Sequence, residues 1–427
     1  MGWILFGSFF FFLLIGVPVG LAVGLSALIV FVATGIPLQM VPQTFFEGSS
    51  SYALVAVPFF ILAGDILARG GISERILAIA EATIGRIRGG LGIVATCASM
   101  FIAAISGSGA ATTAAVGASL LPEMNKKKYD TDFSAALIAS SGTIGVVIPP
   151  SVPMVLYAVI AGESVAKLFM GGFIPGILMG LGLIAYALWY SNRQGYPASE
   201  KLTPRVIVRR FIDSLWGLVT PVIILGGIFS GYFTPSEAAA MAVDYTLLIA
   251  WLVYRTLTFR RFYELVVGAG VTSALIMFII GTAKIFGWGL AFYEIPEAVA
   301  KSMIAIAGNS DILIYLMIDV IVLIAGFFME TASALIILTP IFLPLIAAIG
   351  GDTVHFGVVM TIGLAIGMAT PPMAINIFVA SAISGRSLEQ ISRAIWPMVV
   401  ILITMLLLCT YFPWFVMILP KFFMGVQ

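Results

Sequence analysis

Charge is the scarcest property of this sequence. Of 427 residues only 21 are Lys or Arg and 20 are Asp or Glu, 10% in all, against about 25% in an average soluble domain. A water-soluble globule of this size could not cover its surface with so few charges. The net charge of +1 offers no basic field for nucleic acid. The sequence contains no Gly-Lys dipeptide, hence no P-loop lysine and no ATPase of its own. His355 is the only histidine, so the material for a histidine metal site or a Ser/His/Asp triad is lacking. The two cysteines, Cys97 and Cys409, both fall inside apolar runs, which implies buried thiols rather than a disulfide framework. Neither a Ser/His dyad nor paired Asp residues in adjacent apolar segments stand out, so no enzyme is expected.

What the chain has is apolar length. Hydrophobic residues make up 61%, in runs near the ~20 residues that cross a bilayer as a helix. The reading is an all-α polytopic membrane protein with the lipid bilayer as its solvent. Spans are expected at 3–33, 52–68, 133–162, 165–190, 215–232, 236–254, 262–283, 356–384 and 393–418. Residues 1–30 lack a positive leader region and run apolar for too long to be a signal peptide, so a retained span is expected there.

Two apolar stretches, 90–122 and 311–348, are too long for one span. Each is interrupted near its centre, by Ser106-Gly107-Ser108-Gly109 in one and Glu330-Thr331 in the other. A helix that stops in mid-bilayer and resumes implies a re-entrant hairpin, since lipid tolerates interrupted backbone only where protein or water satisfies it. With both hairpins returning to their own side, segments 69–90, 123–132, 191–214, 255–264 and 385–393 share one face. They hold 4, 3, 5, 3 and 2 Lys/Arg, 17 of the 21. That face is then cytoplasmic, with the N-terminus inside and the C-terminus outside. Residues 72–88 mix apolar and charged positions as an inner-surface arm helix would, and 292–308 form a weaker outer counterpart; an ordinary connecting helix is the alternative for both.

The chain also repeats. An offset of 222 carries Pro122 to Pro344, Pro149-Pro150 to Pro371-Pro372, Pro175 to Pro397 and Gly145 to Gly367. Hairpin maps onto hairpin, and the charge count inverts one against the other. Inverted repeats with discontinuous helices are typical of secondary transporters, with the site where the breaks meet near the midplane. The Pro-Pro elements, Gly142 to Ser151 and Gly367 to Pro372, should unwind their helices. Freed carbonyls would suit a cation and freed N–H groups a carboxylate. Ser106, Ser108, Thr331 and Ser333 add hydroxyls, hard oxygen ligands appropriate to Na⁺. The plainer alternative is that Pro-Pro kinks a packed helix and Gly/Ser permits close packing. Among intramembrane carboxylates Glu330 is the strongest candidate, ahead of Asp244 and Asp319. Lys284 reads as a snorkelling span end, and Thr234-Pro235-Ser236-Glu237 as a capping box.

The organisation expected is 1–68 as N-terminal scaffold, 69–89 as inner arm, 90–190 as first repeat, 191–283 as central scaffold, 284–310 as outer arm, 311–418 as second repeat and 419–427 as tail. Ser106 to Gly117, Gly145 to Pro153, Phe173-Ile174-Pro175-Gly176, Pro58 to Gly64 and Phe233 to Ala240 together resemble the large membrane subunit of tripartite ATP-independent periplasmic (TRAP) transporters, over essentially the whole chain. The resemblance implies an elevator-type importer of organic acids, such as sialic acid or a C4-dicarboxylate, driven by Na⁺ in a bacterial inner membrane. It implies two partners, a separate small four-helix membrane subunit and a periplasmic substrate-binding protein. Carried over by position, one Na⁺ site would involve Ser106, Gly107, Ser108, Gly109, Thr143, Gly145 and Pro149. The other would involve Glu330, Thr331, Ser333, Gly367, Thr370 and Pro371. Substrate would meet Ser108, Pro150, Ser151, Thr331, Pro372 and Asn376. The rival is a stand-alone Na⁺- or H⁺-coupled dicarboxylate transporter without a binding protein.

Overall fold

The computed structural model describes residues 2–198, 203–308, 310–372 and 374–425. Lys201, one of the charges counted above toward the expected cytoplasmic face, and residues 426–427 of the expected tail lie outside them. The described residues are helical, with no strand among them. Eight helical segments are long and apolar enough to cross a membrane: Tyr52–Arg69, Val165–Gln194, Pro204–Phe229, Pro235–Val253, Phe259–Phe292, Asp311–Phe328, Thr331–Ala348 and Leu388–Tyr411.

The N-terminal part comprises α1 (Gly2–Leu14), α2 (Val19–Thr34), α3 (Met40–Ser49) and α4 (Ala56–Arg69). Here the expectation of one span over 3–33 fails. On α1, Phe9 packs on Phe286 at 5.9 Å and Gly2 abuts Ile295. On α2 the direction is reversed, with Gly20 against Ile279 and Phe31 on Trp288 at 4.8 Å. The chain doubles back at Gly16-Val17-Pro18, where Gly16 takes φ +83° and a proline cannot continue the preceding helix. At 13 and 16 residues neither helix reaches the ~20 needed to traverse. Gly2 therefore lies at the same end of the molecule as Ile295.

Next come α5 (Ile72–Ile84), α6 (Gly90–Ser106), α7 (Gly109–Lys126), α8 (Thr131–Gly142), α9 (Val152–Ala161) and α10 (Val165–Gln194). Helix α5, the expected inner arm, packs on α6 and, through Arg210, on α11 (Pro204–Phe229): the guanidinium donates to the Ala78 carbonyl at 3.0 Å. Helices α6 and α7 form the first hairpin, turning at Gly107, whose φ of +59° is natural only for glycine. The far ends of both meet the end of α10. Gly89 abuts Ser191, and the Asp130 N–H beyond α7 donates to the Tyr196 hydroxyl at 3.0 Å. Helices α8 and α9 are one broken span, interrupted over residues 143–151 around Pro149-Pro150.

The central part holds α12 (Pro235–Leu248), α13 (Phe259–Phe292) and α14 (Ile295–Ala307). Thr234 and Glu237 form the expected capping box at the start of α12. Helix α13, 34 residues long, continues well past position 283 and backs α2, α3 and α4. The second repeat comprises α15 (Asp311–Phe328), α16 (Thr331–Ala348), α17 (Thr353–Gly367), α18 (Ile375–Ser384) and α19 (Leu388–Tyr411), followed by α20 (Trp414–Met424). Tyr315 near the start of α15 sits against Gly351 just past α16, so these two helices also return to their own side. Helices α17 and α18 are the second broken span, with Pro371-Pro372 in the gap. The repeats interlock: α18 packs on α7 and α8, and α16 on α9.

Candidate functional site

Both hairpin tips open on one cavity of about 260 Å³. Its walls are Ser106 to Gly109 and Ala111 from the first hairpin and Glu330, Thr331 and Ala332 from the second. Val146, Val152 and Pro153 come from the first broken span, and Met368 from the second. The remaining wall is Ile61, Gly64 and Asp65 of α4 with Thr272 and Ile276 of α13. The sequence bends the backbone toward this space by the devices that end helices. Ser108 leaves the helical region and its hydroxyl accepts from the Ala111 N–H at 3.4 Å, starting α7. Glu330 does the same for α16, its carboxylate accepting from the Ser333 N–H at 3.2 Å. Ser151 starts α9, its hydroxyl donating to the Val146 carbonyl and accepting from the Met154 N–H. Three helix N-termini thus face the cavity, each with the partial positive charge of unsatisfied N–H groups.

Glycines bring the backbones together. A β-carbon on Gly107 would lie 2.8 Å from the Pro150 carbonyl oxygen, and one on Gly145 would lie 2.7 Å from the carbonyl oxygen of Ser108 and from the Thr112 hydroxyl. Gly109 stands as close to the Gly142 carbonyl, at 2.9 Å by the same measure. The first hairpin tip and the first break therefore touch through carbonyl-rich backbone, and Ser106 reaches the Thr112 hydroxyl at 2.9 Å. Thr143 lies behind this contact, its hydroxyl donating to the Ser140 carbonyl. In the second repeat, Gly367 abuts Gly326 just before the tip, and the Thr370 hydroxyl donates to the Ile366 carbonyl.

Among the described residues six buried polar atoms lack a hydrogen-bond partner, and two of them lie near the tips. The Thr331 hydroxyl is one, at the second tip, and the Asn376 side-chain oxygen is the other. Because buried polar groups are nearly always paired, each orphan calls for an explanation, and at the tips a water, an ion or a ligand can supply it. Asn376 is fully buried and crosses between the repeats: its amide donates to the Ala139 carbonyl at 3.0 Å and lies beside Gly142. The sequence reading put it on substrate; the structure puts it behind the first tip, outside the cavity lining. Pro149, Pro150, Ser151, Pro371 and Pro372 are likewise not among the lining residues, and Ser333 donates its backbone N–H to Glu330.

Among the other acids, Asp319 is buried and receives the Thr410 hydroxyl at 2.9 Å, away from the cavity, and Asp244 is exposed on α12. Lys284 lines a separate hollow of about 470 Å³ with Glu47, between α3, α9, α13 and α16. Sequence reasoning missed Asp65, Thr272 and Ile276. Asp65 carried a usable signal, a carboxylate within an apolar run, obscured by Arg69 one turn later; Thr272 and Ile276 carried none.

The chain matches the family model of the tripartite ATP-independent periplasmic transporter, DctM component, over residues 6–415. It is 43% identical to the isethionate TRAP transporter permease protein DctMQ of Oleidesulfovibrio alaskensis, over 99% of this chain and 66% of that protein. It is 36% identical to the C4-dicarboxylate TRAP transporter large permease protein DctM of Rhodobacter capsulatus, over 98% of each. It is equally 36% identical to the sialic acid TRAP transporter large permease protein SiaM of Vibrio cholerae, over 96% of each. The crystal structure of the Alcanivorax borkumensis YdaH transporter, described as having an unusual topology, superposes with a TM-score of 0.66 at 12% identity, covering 88% of this chain and 89% of that one. That likeness concerns the fold alone. With the family matched along nearly its whole length and its two interrupted hairpins closing on one cavity, this chain belongs to the DctM family of TRAP transporter large permeases.

Proposed function

We propose that this chain is the membrane subunit that carries an organic acid inward in symport with Na⁺, receiving it from a periplasmic binding protein. The observation that supports this best is the convergence of both hairpin tips on one cavity that has an unpartnered buried hydroxyl, Thr331, in its wall. Three helix N-termini there suit an anion, while carbonyls and hydroxyls packed around Gly107, Gly109 and Gly145 suit a small hard cation. In this reading one Na⁺ is held between Ser106–Gly109 and residues 142–149, with Asn376 supplying its free oxygen from the other repeat. The second is held between Glu330–Ser333 and residues 367–371.

Relatives are named for isethionate, C4-dicarboxylate and sialic acid, all organic acids. The small four-helix subunit would be a separate polypeptide docking on the scaffold helices α11–α13, and the hairpins with their broken spans would move as an elevator against that scaffold. In a bacterial inner membrane the Lys/Arg-rich face would be cytoplasmic. Gly2 would then lie on the periplasmic side with Ile295, as would the C-terminal α20. One net positive charge moving inward gains about 2.3 kcal/mol per 100 mV, so uptake of a monoanion with two Na⁺ would be electrogenic.

The test is solute uptake into proteoliposomes holding this chain and its small subunit, with binding protein and an inward Na⁺ gradient each present or omitted. Uptake should require both. Uptake without the binding protein would establish the stand-alone rival, and uptake driven by a proton gradient without Na⁺ would replace the coupling ion.

A further inference from the structure

The tip cavity has a peculiar charge inventory for a site that is to hold an organic acid. Its lining contains two carboxylates, Asp65 and Glu330, and no lysine, arginine or histidine. The nearest basic side chain on α4, Arg69, lines a different hollow with Arg261 and Glu264. Within the lining itself, positive charge can come only from bound cations and from the N-termini of α7, α9 and α16, each equivalent to roughly half a charge, that of α16 already facing the Glu330 carboxylate. Of the two carboxylates, Glu330 already caps α16. Asp65 makes no hydrogen bond and no ion pair among the described residues, although the Arg69 charge one turn along α4 acts on it, and it enters from α4, one residue past the contact of Gly64 with Ser106 of the first tip.

A free carboxylate facing the ligand accepts hydrogen bonds and repels a second negative group. At the tips, the hydroxyls of Ser106, Ser108 and Thr331 and the three helix N-termini provide donors for one acidic group. On the Asp65 side the one hydroxyl, that of Thr272, already donates to the Gly268 carbonyl at 3.1 Å and is not free for another. The volume, about 260 Å³, lies below the ~300–1,000 Å³ of drug-sized ligand sites.

We infer that this cavity takes a small hydroxylated monoanion, a hydroxy-carboxylate or hydroxy-sulfonate, in preference to a dicarboxylate of similar length, with Asp65 accepting the ligand hydroxyl. The inference rests on the cavity being the substrate site. A ligand with a hydroxyl at that end satisfies Asp65, and one lacking it leaves a desolvated carboxylate unpaired, a mismatch that discriminates strongly. Asp65 stands on a scaffold helix, so it reads the ligand only when the tips are at its level.

The experiment is ligand-induced thermal stabilisation of the complex of this chain with its small subunit in nanodiscs, in saturating Na⁺. The probes are 2-hydroxyethanesulfonate and glycerate against succinate and fumarate. The hydroxylated monoanions should stabilise at concentrations about tenfold lower or better, and Asp65→Asn should bring the two groups to within about threefold. Succinate matching or beating them in the unaltered complex would overturn the inference, as would an Asp65→Asn complex that kept the full preference. Should that variant fail to assemble, the panel on the unaltered complex decides alone. Na⁺-dependent binding of succinate alone would remove the inference and leave the proposed function standing, whereas no Na⁺-dependent binding of any organic acid would remove both.

Discussion

Gly326 of α15 and Gly367 of α17 meet backbone to backbone, so that a β-carbon on Gly367 would lie 2.5 Å from the Gly326 Cα. No flexible side chain can yield there, because both partners are main chain. Gly367→Ala should destabilise the second repeat by about 1–3 kcal/mol, the usual cost of overpacking, and abolish uptake. Gly226→Ala on α11, where a β-carbon meets nothing within 4 Å, should be neutral or slightly stabilising. Thermal unfolding of the two variants side by side checks this, and equal melting temperatures would refute it.

Thr331→Val keeps the shape of a buried side chain and deletes an unpartnered hydroxyl. A merely structural threonine would lose nothing by this change. A cation ligand would lose a hydrogen-bond-class interaction with a charged group, worth about 1.5–3 kcal/mol. The Na⁺ concentration for half-maximal uptake should rise about tenfold or more while the melting temperature without Na⁺ stays put.

Arg386, just past α18, pairs with Asp132 of α8 at 3.0 Å, joining the two repeats at one face of the molecule. Both side chains are partly exposed, at 41% and 30%. A pair of this kind is screened, and a double-mutant cycle of Asp132→Asn and Arg386→Gln should return a coupling of only about 0.2–1 kcal/mol. A coupling of several kcal/mol would mean that inter-repeat docking depends on this pair rather than on the apolar packing of α18 against α7 and α8.

Tyr129, in the turn between α7 and α8, stacks on Tyr196 at 4.2 Å, and its hydroxyl is buried without a partner. Burial pushes its pKa up from the model-peptide value of 10.0 to about 12. The neutral phenol is thus favoured in the folded chain. Its contribution to stability is complete below the unfolded pKa and is lost as pH rises through the interval from 10.0 to about 12. Denaturation followed from pH 9 upward should show a stability loss in that window, and Tyr129→Phe should flatten it.

The hairpins and broken spans were legible because their signals are local. Ser-Gly-Ser-Gly and Glu-Thr interrupt apolar runs, and paired prolines leave a helix no way to continue. The fold-back at Gly16-Val17-Pro18 was harder to see, since α1 and α2 are apolar on all sides and their concatenation has the length of one span. Its punctuation, Gly and Pro two residues apart, reads equally as a kink. The placement of Asn376 was illegible for a different reason. The offset of 222 pairs it with a methionine, and its role comes from α18 crossing onto α8, a contact between distant parts of the chain. Asp65 falls inside the expected span 52–68, whose end agrees with that of α4 to one residue, and was passed over because Arg69 follows it by one turn.

Helix α13 is 34 residues long, which at 1.5 Å per residue makes a rod of about 51 Å, against a hydrocarbon core of about 30 Å. A rod of that length must lean or project into the headgroup layers, and the surrounding lipid adapts to whichever it does. Because α2, α3 and α4 are fastened along it, any change of lean carries them with it. Acyl-chain length is therefore a variable of this protein's energetics in its own right: thin and thick membranes hold the same strut at different angles, and so present the wall containing Asp65 at different depths.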